Sequence, residues 1–221
     1  MEKYVASGHV AVVENCVMTT VGLCEILSCC AGASYRLQTF KDSCEWFSQR
    51  EHRRYDIVIY SVSGARCSRQ QSIHFLSHLN CMQPDAARIL LAENEGQAKL
   101  IHYLLPVPVH AVLCKTSSVE KLALQLRTVM KQREFLDKPY QTLNCSSGYV
   151  SLSLTERTIL HYIRNGFSIS EIAVQMARNP KTIRTHKFNT MSKLGVRSDC
   201  GLLCAADILC NLPLQSGNAC W

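Results

Sequence analysis

The stretch LSLTERTILHYIRNGFSISEIAVQMARNPKTIRTHKFNTMSKLGV, Leu152 to Val196, decides how the rest of the chain is read. Three helix starts lie within it. Ser153 and Glu156 have the S-x-x-E spacing in which a hydroxyl and a carboxylate each satisfy an orphan amide of the first turn. Ser168 and Glu171 repeat that spacing. Asn179-Pro180 adds a third cap, with proline at the first helical position, where no amide bond is lost. Behind the first start, Ile159, Leu160 and Ile163 recur at helical spacing before Asn165-Gly166 stops the helix. Behind the second, Ile169, Ile172, Ala173 and Met176 give one apolar face. The third helix is expected from Pro180 to Leu194, ending at Gly195.

That third helix sorts its side chains by face. Ile183, Met191 and Leu194, with His186 and Thr190 at their edge, fall on the side that packs against the two preceding helices. Lys181, Arg184, Thr185, Phe188 and Ser192 follow one another at helical spacing and form a single exposed stripe. From Arg178 to Arg197 there are six Lys or Arg and no Asp or Glu. A cationic stripe alone is commonly just a solvated face. Phe188, however, gains nothing from water and could touch a thymine methyl. Cations on the last helix of a capped three-helix unit are the pattern of a helix-turn-helix that presses one helix into the major groove of DNA.

The segment resembles the DNA-binding domain of the LuxR/FixJ (NarL-type) bacterial regulators over roughly Ser151 to Leu209. The likeness rests on Glu156, Gly166, the SEIA of Ser170 to Ala173, the KTI of Lys181 to Ile183 and the KLGV of Lys193 to Val196. It implies that Arg184, Thr185 and Phe188 approach base edges, while Lys181, Thr182, Lys187 and Lys193 meet phosphates. It also implies a closing helix from Ser198 to about Leu209, with Asp199, Leu202, Leu203 and Ala206 on a dimer contact. Many relatives carry a cation or polar group where this chain has Phe188, so apolar contact is expected there.

Composition sets wider bounds. At 221 residues, 47% hydrophobic and 19% charged, the chain is long enough for one or two packed domains. Its 24 basic and 17 acidic residues leave +7, an excess suited to a polyanionic partner. No apolar run approaches the ~18 residues that span a bilayer, and MEKYVASGHVAVVEN lacks the apolar core of a secretory signal. A cytoplasmic protein, meeting the nucleoid only through DNA, is the expectation. Thirteen cysteines without C-x-x-C pairs are read as small buried hydrophobes in a reducing compartment. The eight histidines are read as lacking metal-ligand spacing, and no metal, cofactor or small-molecule ligand is expected.

Upstream, apolar runs alternate with amphipathic ones. His9 to Val13, Tyr35 to Phe40, Asp56 to Tyr60, Arg88 to Ala92 and Val109 to Leu113 read as strands. Val17 to Cys29, Ser43 to Glu51, Gln70 to Cys81, Glu95 to Leu104 and Ser118 to Lys131 read as helices. Five strand–helix repeats with apolar, β-branched strands predict a doubly wound α/β domain, its parallel sheet covered on both faces. The domains expected are 1–131 (α/β), a Pro/Gly/Ser-bearing linker 132–150, the helix-turn-helix 151–212 and a tail 213–221.

An α/β domain in this position resembles the CheY-like receiver of two-component response regulators. The resemblance places Glu14 and Asn15 at the two metal-holding acids, Ser61 at the phosphorylated carboxylate, Ala92 at the strand-four hydroxyl and Lys115 at the family's lysine. An acyl phosphate forms only on Asp or Glu. One carboxylate of three survives, and a single carboxylate holds a hard divalent ion poorly. The expectation is a degenerate receiver in which Lys115 bonds Glu14 or Ser61 instead.

Together these point to a transcription regulator, an activator and not an enzyme. One such module covers half a DNA site, so two are needed. KTIRTHKFNTMSKLGVRSDCGLL resembles the branch containing RcsB and its auxiliary partners, which implies a heterodimer with an RcsB-like response regulator. A homodimer, controlled by phosphorylation or independent of it, stays open beside it.

Overall fold

The computed structural model describes residues 8–31, 35–49, 53–62, 66–104, 109–134 and 152–210. They belong to two compact units, one of residues 1–98 and 107–146 and the other of residues 99–106 and 147–221. Most of the linker expected at 132–150, and the tail, lie outside the described residues.

Residues 8–134 carry β1 (Gly8–Val13), α1 (Val17–Ala31), β2 (Tyr35–Phe40), α2 (Ser43–Gln49), β3 (Ile57–Val62), α3 (Arg66–Met82), β4 (Ala87–Ala92), α4 (Glu95–Leu104), β5 (Ala111–Cys114) and α5 (Val119–Glu134). All strands pair in parallel, in the order β2-β1-β3-β4-β5. This is the doubly wound sheet that the alternating apolar runs predict. Side chains alternate across the pleat. Val10, Val12, Ile57, Ile59, Ile89 and Leu91 pack with Leu23 and Leu27 of α1 and Leu126 of α5. Tyr60, from the opposite face, stacks on Phe75 of α3 at 4.4 Å, and Phe75 meets Trp46 of α2 edge-on at 5.0 Å.

Several boundaries differ from the sequence reading. β3 continues through Ser61 to Val62, α3 starts four residues early at Arg66, and α5 runs on to Glu134, taking the first residues assigned to the linker. Cysteine burial also differs. Of the cysteine side chains described, Cys16, Cys29, Cys44, Cys81 and Cys200 are exposed and only Cys114 is buried.

The second unit holds α6 (Leu154–Arg164), α7 (Ile169–Gln175), α8 (Pro180–Leu194) and α9 (Asp199–Cys210). Ile159, Ile172, Ala173 and Ile183 form its centre. Among the described residues no helix is long and apolar enough to cross a membrane.

Candidate nucleic-acid interface

Each helix start forms with the chemistry its residues offer. Ser153 Oγ accepts from the Glu156 amide while Glu156 Oε2 accepts from the Ser153 amide at 2.8 Å. Ser168 and Glu171 form the same reciprocal pair. Asn179 Oδ1 accepts from the Lys181 amide at 2.8 Å ahead of Pro180, and Gly195 closes α8 at φ 66°. The turn between α7 and α8 passes through Ala177 at φ 50°, a left-handed conformation that side chains other than glycine adopt at a cost.

These caps fix which face of α8 turns inward. Ile183, Thr190, Met191 and Leu194 are buried. Thr190 is therefore core and not edge, its hydroxyl donating to the His186 carbonyl at 2.8 Å. Lys181, Arg184, Thr185, Phe188, Asn189 and Ser192 are exposed, Phe188 to 65%. Thr185 keeps its hydroxyl on its own helix, donating to the Lys181 carbonyl at 3.1 Å. Thr182 is half-buried. Lys181 and Arg184 have no ion-pair partner among the described residues.

Two cations assigned to phosphates form ion pairs within the unit. Lys193 Nζ lies 2.8 Å from Glu156 Oε2, so the capping carboxylate of α6 also grips the last turn of α8. Glu156 is 3% exposed, and the Lys193 ammonium is the main reason its carboxyl is held below the usual range. Lys187 Nζ lies 2.7 Å from Asp199 Oδ1, tying α8 to the start of α9. The sequence reading missed both because the partners are far apart along the chain.

The dimer contact expected on α9 needs a larger correction. Leu202 and Ala206 are 0% exposed within the unit's own core, and Leu203 is half-buried. Asp199 is exposed but paired with Lys187. Buried side chains offer no surface to a second molecule, so Leu202 and Ala206 are structural. Asp207, also 0% exposed, faces Arg164 Nε at 3.4 Å and joins α9 to α6.

In the α/β unit the parallel strands deliver Glu14, Ser61, Ala92 and Lys115 to the carboxyl edge of the sheet, where doubly wound folds keep their sites. Lys115 Nζ lies 2.8 Å from Glu14 Oε2 and 2.9 Å from Glu93 Oε1. Burial opposes the charge on Lys115, but the bonds to Glu14 and Glu93 outweigh it and raise its pKa. Glu14 is 5% exposed and accepts from the Cys16 amide at 2.9 Å, whereas Asn15 points to solvent. The Ser61 carbonyl, not its hydroxyl, accepts from Ser72 Oγ at 3.5 Å. Ala92 is buried. Glu93 was missed in the sequence, although the neighbouring ends of β4 and β5 set it beside Lys115.

A capped trihelical unit with a cationic stripe, following a receiver-like sheet in the sequence, defines a class, and comparison with known proteins agrees. The family model for bacterial regulatory proteins of the luxR family matches residues 150–206. The chain belongs to this family. Among its relatives is the transcriptional activator protein BglJ of Escherichia coli (strain K12), 38% identical over 205 residues, covering 91% of this chain and 89% of BglJ. The transcriptional regulatory protein RcsB of the same organism is 25% identical over 169 residues, covering 74% of this chain and 78% of RcsB. The solved RcsB–DNA complex shares the fold at a TM-score of 0.69 with 19% identity, covering 94% of this chain and 100% of that one.

Proposed function

We propose that this chain is a sequence-specific DNA-binding transcription activator that works without phosphorylation, as a heterodimer with an RcsB-like response regulator. The observation that carries the reading is the stripe of α8. Lys181 and Arg184, without an ion-pair partner among the described residues and beside exposed Phe188, stand on a helix locked by caps at both ends. Free cations on a rigid rod neutralise phosphates and reach base edges, and an exposed phenyl ring finds its apolar complement in thymine methyls. With Lys187 and Lys193 engaged elsewhere, phosphate contact falls to Lys181, Thr182 and the exposed Arg178 and Arg197. Arg184, Thr185 and Phe188 are assigned to the bases.

Activation is inferred from the similarity to BglJ. Independence from phosphorylation rests on Ser61, which cannot carry an acyl phosphate, and on a lysine already paired with Glu14 and Glu93. For pairing, α1 offers Val17, Met18 and Val21, exposed to 73%, 81% and 60%. A cluster of large apolar side chains left in water marks an interaction surface.

Titration of promoter DNA at several salt concentrations, with the RcsB-like partner present, tests the interface. Arg184→Ala should weaken binding by about 1–3 kcal/mol and relax sequence preference, while Lys181→Ala should lower the salt slope by about one. Unchanged occupancy in the double variant would overturn the assignment. Co-purification with the partner, lost in Met18→Lys, tests the pairing. A stable homodimer that binds the promoter unaided would replace the heterodimer with a homodimeric reading.

A further inference from the structure

Helix α3 carries His74 and His78 one turn apart, so their side chains lie one above the other. Both are exposed. Their ring centres are 4.3 Å apart at an interplanar angle of 37°. A divalent ion about 2.1 Å from a nitrogen of each ring sets ring centres roughly 4.5 Å apart at a right angle and roughly 5.3 Å apart at the tetrahedral angle. The observed separation is of the same order, and the one-turn spacing puts both imidazoles on one face of the helix.

The surroundings settle which nitrogen is free. His78 Nδ1 lies 3.1 Å from the His74 carbonyl oxygen. A carbonyl only accepts, so Nδ1 carries the hydrogen and Nε2 keeps its lone pair for a ligand, the arrangement that orients metal-binding imidazoles. The Phe47 ring meets His78 edge-on at 6.3 Å and 89°, restricting its swing.

We infer that His74 and His78 form a two-imidazole chelate for a borderline-soft divalent ion of the Zn²⁺, Ni²⁺ and Cu²⁺ class. Imidazole pairs favour these ions over Mg²⁺ and Ca²⁺, which seek oxygen. Among the described residues no group of three or more His, Cys, Asp or Glu could hold a metal, so water completes the shell and the ion exchanges freely. The inference stands apart from the DNA-binding proposal.

Calorimetric titration of the full chain with Ni²⁺ alone should find one site per chain, at least tenfold weaker in His74→Ala and in His78→Ala and absent from the double variant. Saturating Ni²⁺ should raise the melting temperature of the native chain. That rise should vanish in the double variant, whose metal-free melting temperature should match the native one. The same site at undiminished affinity in the double variant, no uptake by the native chain, or equal stabilisation by Mg²⁺ would each overturn the chelate.

Discussion

Glu156 shows how much one carboxylate can do when caps and cations converge. It accepts from the Ser153 amide and from Lys193 Nζ, and so couples the beginning of α6 to the end of α8. Its carboxyl is held below the usual 4.5, first by Lys193, so folding favours the ionised form. That contribution is present above the unfolded-state pKa and is lost as pH falls through the depressed folded value. Melting curves of the native chain and Glu156→Gln should therefore differ at neutral pH and converge as the solution is acidified through and below the ordinary carboxylate range. Parallel curves across the whole range would show that the carboxylate contributes nothing. Lys193→Ala, by the same argument, should lower stability while leaving the salt slope of DNA binding nearly unchanged. The cap was legible in the S-x-x-E spacing, but the clasp was not. Lys193 is 37 residues away from Glu156, and nothing in a helical period names a partner across that distance.

The short turn between α7 and α8 carries strain that can be relieved. Ala177 sits at φ 50°, where glycine would lie without steric cost. Ala177→Gly should stabilise the chain by about 0.5–1 kcal/mol, the relief outweighing the added freedom of the unfolded chain. A rise in the denaturant midpoint at constant slope checks it, and a fall would mean that Ala177 has favourable contacts outweighing the strain. Element positions were legible wherever caps or apolar periods spoke. Helices α6, α7 and α8 start where the caps Ser153, Ser168 and Asn179 indicate, and α9 starts beside Ser198, where the family resemblance places it. Faces were legible on α8, where cations and aliphatics segregate, but not on α9. Its DCGLLCAADILC is apolar nearly all round, so no polar side marks which leucine faces out. Leu202 and Ala206 were consequently assigned to the wrong surface. Ends of helices without a glycine or proline, such as α5 at Glu134, ran past expectation because polar residues continue a helix as readily as they leave it.

At the scale of the molecule, five parallel strands were readable from their apolar runs, because a sheet covered on both faces tolerates little else. The arrangement at its carboxyl edge was half readable. Strand order brings Lys115 to Glu14, as anticipated, whereas Glu93 enters only once β4 and β5 are seen side by side. Incubation with acetyl phosphate and Mg²⁺ should leave the native chain without acid-labile phosphate. Ser61→Asp should stay unlabelled too, since exposed Asn15 leaves the metal acids one short. Labelling of either protein would return the chain to phosphorylation control. Under the proposed reading, the ammonium wedged between Glu14 and Glu93 has a consequence for the cell. A regulator with no chemical dial is governed by dose, and its output should follow how many copies are synthesised, how fast they are degraded and how much partner is on hand.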